Sequence, residues 1–290
     1  MKNRLQQTTD DGGADAPYDH LYIYHLEGRV TPTYSPGRPD FIGLWQETDS
    51  AFLFFERAAP TTIAELVRSN PGLTYHDCYH LTYDQWHGSR FEAFEQGDLR
   101  VVPAWQADSD GLDTAASSRT ILLDPGVVFG VGTHPTTRDC LSALQLAYKG
   151  AAPAKALDLG TGTGLLALAA VRLGCSQVVA VDMNGLAAKT AQANVRLNQM
   201  QDYVMVTQGD ALDLVRCPAD LVIANIHYDV MRHLILNKGF LAKKQFILSG
   251  LMRSEAKHIV DTLQRYPVKI LKPWTQNGIW HTIYGEAVRK

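Results

Sequence analysis

The second half of the chain alternates short apolar runs with stretches of helix length. The runs of strand length are "KALDLG", "QVVAVDM", "YVMVTQGDAL", "ADLVIANI", "FILSGL" and "GIWHTIYG". Between the first three lie "GLLALAAVRLG" and "NGLAAKTAQANVRLNQ", which have the length and composition of helices. Strands that alternate with helices pack into a parallel sheet covered on both faces. This half therefore predicts an α/β fold with a doubly wound sheet.

The first half has a different pattern, in which short aromatic-rich runs predict strands and "TTIAELVRSN" predicts one short helix. The strand candidates are "LYIYHL", "FIGLWQ", "AFLFFE", "LTYHDCYHLTY" and "DLRVVPAW". This mixture is typical of a small α+β domain. We expect a disordered leader over 1–16, the small domain over 17–105, a polar linker over 106–119 and the larger domain over 120–290.

Composition excludes several classes of protein. Hydrophobic residues make up 46% and charged residues 20%, as in a globular chain. No apolar run reaches the roughly 18 residues that span a bilayer, and the N-terminus lacks a secretory signal. The 4 cysteines form no CxxC pair, so neither disulfides nor a zinc site is indicated. His76, Cys78 and His80 alternate on one predicted strand, for which one half-buried face is a better interpretation than a metal site. We expect a cytoplasmic protein.

The charge is unevenly divided along the chain. Residues 1–119 contain 9 Lys+Arg and 18 Asp+Glu, a net of −9, and residues 120–290 contain 18 and 12, a net of +6. An acidic surface attracts basic partners and repels nucleic acid. The first half thus favours a basic protein partner over nucleic acid, the alternative being a solvated acidic surface without a partner.

A glycine-rich turn joins the first strand of the second half to its helix. Gly160, Gly162 and Gly164 give the spacing G-x-G-x-G, whereas dinucleotide-binding turns show G-x-G-x-x-G. Asp158 stands two residues before the first glycine. A carboxylate there repels a pyrophosphate and attracts a cationic ligand. S-adenosylmethionine, with its ammonium and sulfonium groups, fits this turn better than a nicotinamide cofactor does, which disfavours a dehydrogenase.

Two further acidic residues follow the next two strands. Asp182 ends "VVAVD", where a carboxylate is able to accept hydrogen bonds from both hydroxyls of a ribose, and Asp210 follows the third strand, near the expected adenine edge. Because the carboxyl ends of parallel strands lie at one edge of a sheet, we expect these side chains close together. They predict a nucleoside-type cofactor.

The segment "DPGVVFGVGTHPTT", residues 124–137, combines three glycines and two prolines with hydroxyl-bearing side chains. Such a composition fixes the backbone in some places and opens it to unusual angles in others. This segment, "LDLGTGTGLLALAA", "VVAVDMN", "QGDAL", "ADLVIANI" and "FILSGLM", in this order, resemble the PrmA family. The resemblance runs from about Asp84 to Leu251, and "GTHPTT" is its most specific element.

Members of the PrmA family methylate lysines and the N-terminal amine of ribosomal protein L11. The resemblance implies a Rossmann-like, seven-stranded class I methyltransferase domain that uses S-adenosylmethionine. Its seventh strand, for which "GIWHTIYG" is the candidate, is expected to be antiparallel. A ferredoxin-like first domain that holds the substrate protein is implied as well.

The resemblance also implies roles for individual residues. The 124–137 segment is expected to act as a lid, with Phe129 packed near the cofactor and Thr133 and His134 near its methionyl or methyl end. Asn225, at the end of the fourth strand, is expected to face the transferred methyl group and to orient the amine, the alternative being a strand-end turn residue. Apart from the resemblance, His227 is a candidate to narrow the channel or to accept a proton. For His134 a hydrogen bond that fixes the loop, and for His227 a packed or surface position, are the alternatives to a catalytic role.

Two departures from the family pattern bear on the substrate. Val131 stands where the family has Thr, which predicts one missing hydroxyl on the cofactor side, and "NIHYDV" carries His227 and Tyr228 where smaller residues are usual. Two alternatives therefore stay open: a methyltransferase for another protein or a small amine, and a regulator that binds S-adenosylmethionine without catalysis.

Overall fold

The computed structural model describes residues 16–107, 119–150 and 152–288. The predicted leader, apart from residue 16, and most of the predicted linker lie outside the described residues. Within the described ranges the strands form a four-stranded, a three-stranded and a seven-stranded sheet.

The four-stranded sheet is antiparallel, with the order β2-β3-β1-β4. Its elements, in chain order, are β1 (His20–Glu27), β2 (Phe41–Gln46), β3 (Ser50–Phe55), α1 (Pro60–Ser69) and β4 (Thr74–Thr82), followed by α2 (Tyr83–His87). This is the strand order of a ferredoxin-like sheet, whose β-α-β-β-α-β pattern contains two helices. Here α1 supplies the second helix, and a loop over 28–40 stands in place of the first.

The two faces of this sheet pack against different partners. Leu53 and Phe55 face α1 and form a core with Ile63. Leu21 and Phe54, on the other face, form a cluster with Val127 and Leu186 of the second half. Apolar area buried on both faces stabilises the sheet and docks the first domain on the rest of the chain.

A bulge in the β1–β4 pairing separates residues that the sequence places together. The register shifts between His25 and Leu26, opposite the middle of β4. Cys78 packs in the core beneath α1, whereas His76 stacks on His25 at a centroid distance of 4.8 Å, on the other face. The expectation of one shared face for His76, Cys78 and His80 is therefore wrong, because local alternation does not reveal a bulge. Within the described ranges no group of three or more potential metal ligands occurs.

The three-stranded sheet connects the two halves. Its members are β5 (Phe94–Gln96), β6 (Leu99–Pro103) and β7 (Thr120–Leu123), with β6 parallel to β7. Leu99 and Val101 are buried in the core of the second half. The strand that the sequence assigns to the end of the first domain thus packs with the larger domain. The division at residue 105 stays a prediction.

The seven-stranded sheet has the order β10-β9-β8-β11-β12-β14-β13. Its members are β8 (Lys155–Leu159), β9 (Gln177–Asp182), β10 (Val204–Gln208), β11 (Leu221–Asn225), β12 (Gln245–Met252), β13 (Val268–Gln276) and β14 (Trp280–Ala287). Strands β8 to β12 pair in parallel, and β14 runs antiparallel to both of its neighbours. The predicted class I methyltransferase fold is confirmed, including the antiparallel strand in "GIWHTIYG".

Helices cover both faces of this sheet. They are α3 (Pro135–Lys149), α4 (Leu165–Arg172), α5 (Gly185–Leu197), α6 (Ala211–Leu214), α7 (Tyr228–Leu234), α8 (Lys238–Leu241) and α9 (Arg253–Leu263). Alternate strand residues enter two separate cores, with Ile223 beside α3 and α4 and Val222 beside α7 and α9. Burial on both faces explains the nearly continuous apolar strands. Among the described residues, no helix has both the length and the hydropathy to cross a membrane.

Candidate active site

Polar residues collect at the carboxyl edge of the large sheet. Asp158 lies near the end of β8, Asp182 ends β9, Asp210 follows β10 and Asn225 ends β11. These four strands are neighbours and parallel, so their ends meet at one edge. Ligands of open α/β sheets bind in this position.

The turn after β8 requires glycine. Gly160, Gly162 and Gly164 have φ values of 74°, 56° and 85°, in the region that favours glycine. A Cβ on Gly162 would lie 2.6 Å from the carbonyl oxygen of Phe129, and one on Gly160 would collide with the Ile226 side chain. The turn is therefore a cradle closed on two sides by backbone and side chain, and α4 begins directly after it.

Asp158 is buried beneath this turn. Its Oδ2 accepts a hydrogen bond from Thr161 Oγ1 at 2.6 Å, and its buried Oδ1 has no partner in the described part of the chain. Burial raises the pKa of this carboxyl to about 7. An acceptor without a protein partner fits a site that a water or a ligand donor completes.

Asp182 holds the glycine turn and the next helix in place. Its Oδ2 accepts from the Gly162 N–H at 3.0 Å and its Oδ1 from the Asn184 N–H at 2.9 Å. Each carboxylate oxygen keeps a further lone pair for a ligand hydroxyl. Burial raises the pKa of Asp182. The side chain thus has a structural role that the sequence did not indicate.

Asp210 lies next to Asp182 through the backbone. The Gly209 N–H donates to the Asp182 carbonyl oxygen at 2.9 Å, and Asp210 follows directly. The Asp210 side chain is exposed and caps α6, where its Oδ1 accepts from the Leu212 N–H at 2.7 Å. The strand ends that carry Asp182 and Asp210 therefore lie side by side at the sheet edge.

The covering segment, residues 124–134, lies across the glycine turn. Thr163 Oγ1 donates to the Gly130 carbonyl oxygen at 2.8 Å. The Asn194 side chain of α5 binds both the N–H and the carbonyl of Asp124, and its Nδ2 also donates to the Thr163 carbonyl oxygen. The segment and the turn thus share one hydrogen-bond network. That the covering segment acts as a lid stays a prediction.

Three side chains of the covering segment have different surroundings. Phe129 is 66% exposed and lies beside Trp45 and Trp86 of the first domain. Thr133 is half-buried at the end of the segment. Val131 is buried in the core of the large domain. The expectation that the valine at position 131 leaves one hydroxyl missing on the cofactor side stays a prediction.

A chain of three side chains joins the covering segment to β11. His134 is the N-cap of α3, and its Nδ1 accepts from the Thr136 N–H and lies 2.7 Å from Thr136 Oγ1. Asn225 Nδ2 donates to the same Oγ1 at 3.3 Å. Because Nδ1 is the acceptor of the Thr136 N–H, the Oγ1 proton also goes to Nδ1, and Oγ1 keeps its lone pairs for Asn225. The amide of Asn225 is thereby oriented, and its Oδ1 remains as an acceptor. The Trp280 ring packs edge-on against His134, with the centroids 4.9 Å apart.

His227 has no contact with the hydrogen-bonded series of His134, Thr136 and Asn225 among the described contacts. It is exposed at the N-cap position of α7 and makes no capping bond through its side chain. The neighbouring Tyr228 points toward α9, where its hydroxyl lies 2.6 Å from His258 Nδ1. The structure therefore brings His134 and Asn225 together and leaves His227 two residues beyond them.

Sequence reasoning missed two residues that organise the site. Thr136 is given no role by the sequence patterns, and Asn194 lies in the middle of a helix without a motif around it. Their partners are 89 and 31 residues away in the chain. A polar residue on the apolar face of α5 was the one available signal for Asn194.

Comparisons with known proteins identify the family. The family model described as "Ribosomal protein L11 methyltransferase (PrmA)" matches residues 45–287. A ribosomal protein L11 methyltransferase of Streptococcus equi subsp. zooepidemicus is 29% identical over 283 residues, 96% of this chain and 86% of the relative. One of Pediococcus pentosaceus is 38% identical over 174 residues, 59% of this chain and 54% of the relative.

A solved structure gives the same result. The crystal structure of a ribosomal protein L11 methylase from Lactobacillus delbrueckii subsp. bulgaricus superposes with a TM-score of 0.58 at 25% identity. The match covers 69% of this chain and 100% of that one. The chain thus belongs to the ribosomal protein L11 methyltransferase (PrmA) family and is a methyltransferase that uses S-adenosylmethionine.

Proposed function

We propose that this protein methylates amino groups of ribosomal protein L11, on lysine side chains and at the N-terminus. The observation that carries the proposal is the meeting of the glycine turn, Asp182 and the oriented amide of Asn225 at one edge of the sheet. This arrangement combines a seat for a nucleoside with an acceptor for an amine. The names of the relatives supply the identity of the substrate.

We assign the cofactor to the carboxyl edge of β8, β9 and β10. The cradle of Gly160, Gly162 and Gly164 receives the methionyl part, Asp182 accepts from the ribose hydroxyls, and Asp210 lies toward the adenine. The unpartnered Oδ1 of Asp158 supports a buried donor or water beneath the turn. Phe129 and Thr133 cover the site from the other side. When bound, S-adenosylmethionine supplies a methyl group on a positively charged sulfur.

The protein's main contribution to catalysis is to align a neutral amine and exclude water. Asn225 Oδ1 accepts a hydrogen bond from the amine and so directs the nitrogen lone pair. Thr136 and His134 act as positioning residues, because they fix the rotation of the Asn225 amide. We assign His227 a lesser part, in which its exposed imidazole takes up the proton that leaves the product ammonium.

The first domain is proposed to hold a basic partner. The net charge of −9 over residues 1–119 attracts a protein that presents lysines and disfavours nucleic acid as a direct substrate. We propose the cytoplasm as the compartment, because ribosomal proteins are made and assembled there.

The test is a transfer assay with methyl-labelled S-adenosylmethionine. The acceptors are unmethylated ribosomal protein L11, small primary amines and a lysate of cells that lack the enzyme. We expect label on ribosomal protein L11, and strongly reduced label with Asn225→Ala at unchanged cofactor affinity. Label only on a small amine or on another protein would reassign the substrate. Cofactor binding without label on any acceptor would instead indicate a non-catalytic binding protein.

A further inference from the structure

The first domain holds the covering segment by direct hydrogen bonds. Trp86, in α2, donates from Nε1 to the Val127 carbonyl oxygen at 3.1 Å, and His87 Nε2 donates to the Gly126 carbonyl oxygen at 3.0 Å. The Val127 side chain is buried in the cluster that contains Leu21 and Phe54 of the four-stranded sheet. The start of the covering segment is therefore bound to the first domain through both backbone and side chain.

Phe129 extends this contact toward the glycine turn. Its ring lies 6.3 Å from Trp45 in an edge-on arrangement and 6.0 Å from Trp86. These are separations at which aromatic rings attract one another. Trp45 and Trp86, the tryptophan pair, come from β2 and α2 and thus belong to the first domain.

The same stretch of chain touches the cofactor cradle on its other side. The Phe129 carbonyl oxygen packs against Gly162, and the Gly130 carbonyl oxygen accepts from Thr163. A second contact runs from β2 to α5, where Gly43 packs against Leu186, four residues after Asp182. The first domain is in this way joined to the glycine turn and to the start of α5, which border the proposed methionyl and ribose positions.

We propose that the first domain controls the affinity for S-adenosylmethionine through the tryptophan pair, which seats the covering segment on the glycine turn. Trp45 and Trp86 are positioning residues that act through Phe129 and Val127. The proposal rests on the proposed function, since it takes the glycine turn as the cofactor site. By linkage, a substrate protein that shifts the first domain changes cofactor affinity, and bound cofactor changes substrate affinity by the same factor.

The test is calorimetry of S-adenosylhomocysteine binding to full-length variants. Trp86→Ala removes a hydrogen bond and a ring contact, and we expect binding about tenfold weaker. Trp86→Phe keeps the ring but loses the Nε1 donor, so its affinity is expected between those of the wild type and Trp86→Ala. In steady-state assays of the Trp86 variants, KM for S-adenosylmethionine is expected to rise as cofactor binding weakens. The value of kcat at saturating cofactor is expected to stay within about twofold of the wild type.

The control is Leu66→Ala, which weakens the first domain in its core beneath α1, a cluster separate from the one that contains Val127. It is expected to lower the melting temperature and leave cofactor affinity unchanged. Unchanged affinity in Trp86→Ala, or an equal loss in Leu66→Ala, would overturn the proposal. A wild-type protein that binds no S-adenosylhomocysteine would contradict the proposed function instead.

Discussion

Two backbone N–H groups bind the carboxylate of Asp182, so the residue that we propose for the ribose also holds the site together. It fixes the glycine turn through Gly162 and the start of α5 through Asn184. Its position at the ligand edge was predictable, because the carboxyl ends of parallel strands lie at one edge of the sheet. Its second role was not, since the partner N–H groups belong to turns whose geometry the sequence does not show.

Asp182→Asn is expected to weaken S-adenosylhomocysteine binding by about 10- to 100-fold. The amide keeps one acceptor oxygen and turns an NH₂ group toward a backbone N–H, which loses a charge-assisted bond and leaves a donor unpaired. Calorimetry measures the change. The matched control is Asp213→Asn, at an exposed acidic residue of α6 outside the proposed site, and it is expected to change affinity less than about threefold. Equal affinities of Asp182→Asn and the wild type would remove Asp182 from the ribose site.

Asp158 predicts a pH dependence of stability. Its folded-state pKa is raised to about 7 by burial, above the value near 4 of the unfolded chain. The stability that its proton contributes is fully present below pH 4 and is lost as the pH rises through 7. Between pH 5 and pH 8 the wild type should thus lose about 2 to 3 kcal/mol relative to Asp158→Asn. Urea unfolding at both pH values measures this difference, and parallel profiles of the two proteins would contradict it.

At the scale of elements, α5 holds both the strand and the segment that lead into the site. Asn194 binds Asp124 and Thr163, and Asn198, one turn later, binds the N–H and the carbonyl of Leu122 in β7. Both amides are buried, so each satisfies backbone groups that water does not reach. The two asparagines differ in that Asn194 touches the glycine turn.

Asn194→Ala and Asn198→Ala therefore form a matched pair. Each should lower the free energy of unfolding by about 2 to 3 kcal/mol, because buried backbone groups lose their partners. We expect weaker S-adenosylhomocysteine binding, by about fivefold or more, in Asn194→Ala alone. Urea unfolding and calorimetry give the two quantities. Equal affinity losses in both variants would show that general loosening, and not the covering segment, governs binding.

Strand pairing in the first half was not predictable from local sequence patterns. Alternation and β-branched residues identified β6 as a strand, but a strand's partner depends on contacts across the fold. β6 pairs with β7, beyond the predicted linker, instead of joining the four-stranded sheet. The large sheet was predictable because each β-α unit constrains the next, whereas the first domain lacks such repetition.

At the scale of the whole molecule, the two domains meet at the site. The Trp86–Val127 hydrogen bond and the contacts of Phe129 with the tryptophan pair join residues more than 40 positions apart. No local motif predicts such contacts, although each partner was visible in the sequence as an aromatic residue or a glycine-rich segment. The resemblance to the family therefore predicted the fold of the catalytic domain, whereas its contacts with the first domain are seen only in the structure.

We propose that S-adenosylmethionine binds on the glycine turn beneath the covering segment. Ultraviolet photolabelling with methyl-labelled S-adenosylmethionine, followed by trypsin digestion, tests it directly. Three tryptic peptides, residues 120–138, 156–172 and 173–189, contain the covering segment, the glycine turn and Asp182. We expect label in these peptides, and we expect S-adenosylhomocysteine to displace it. Displaceable label confined to peptides of the first domain would contradict it.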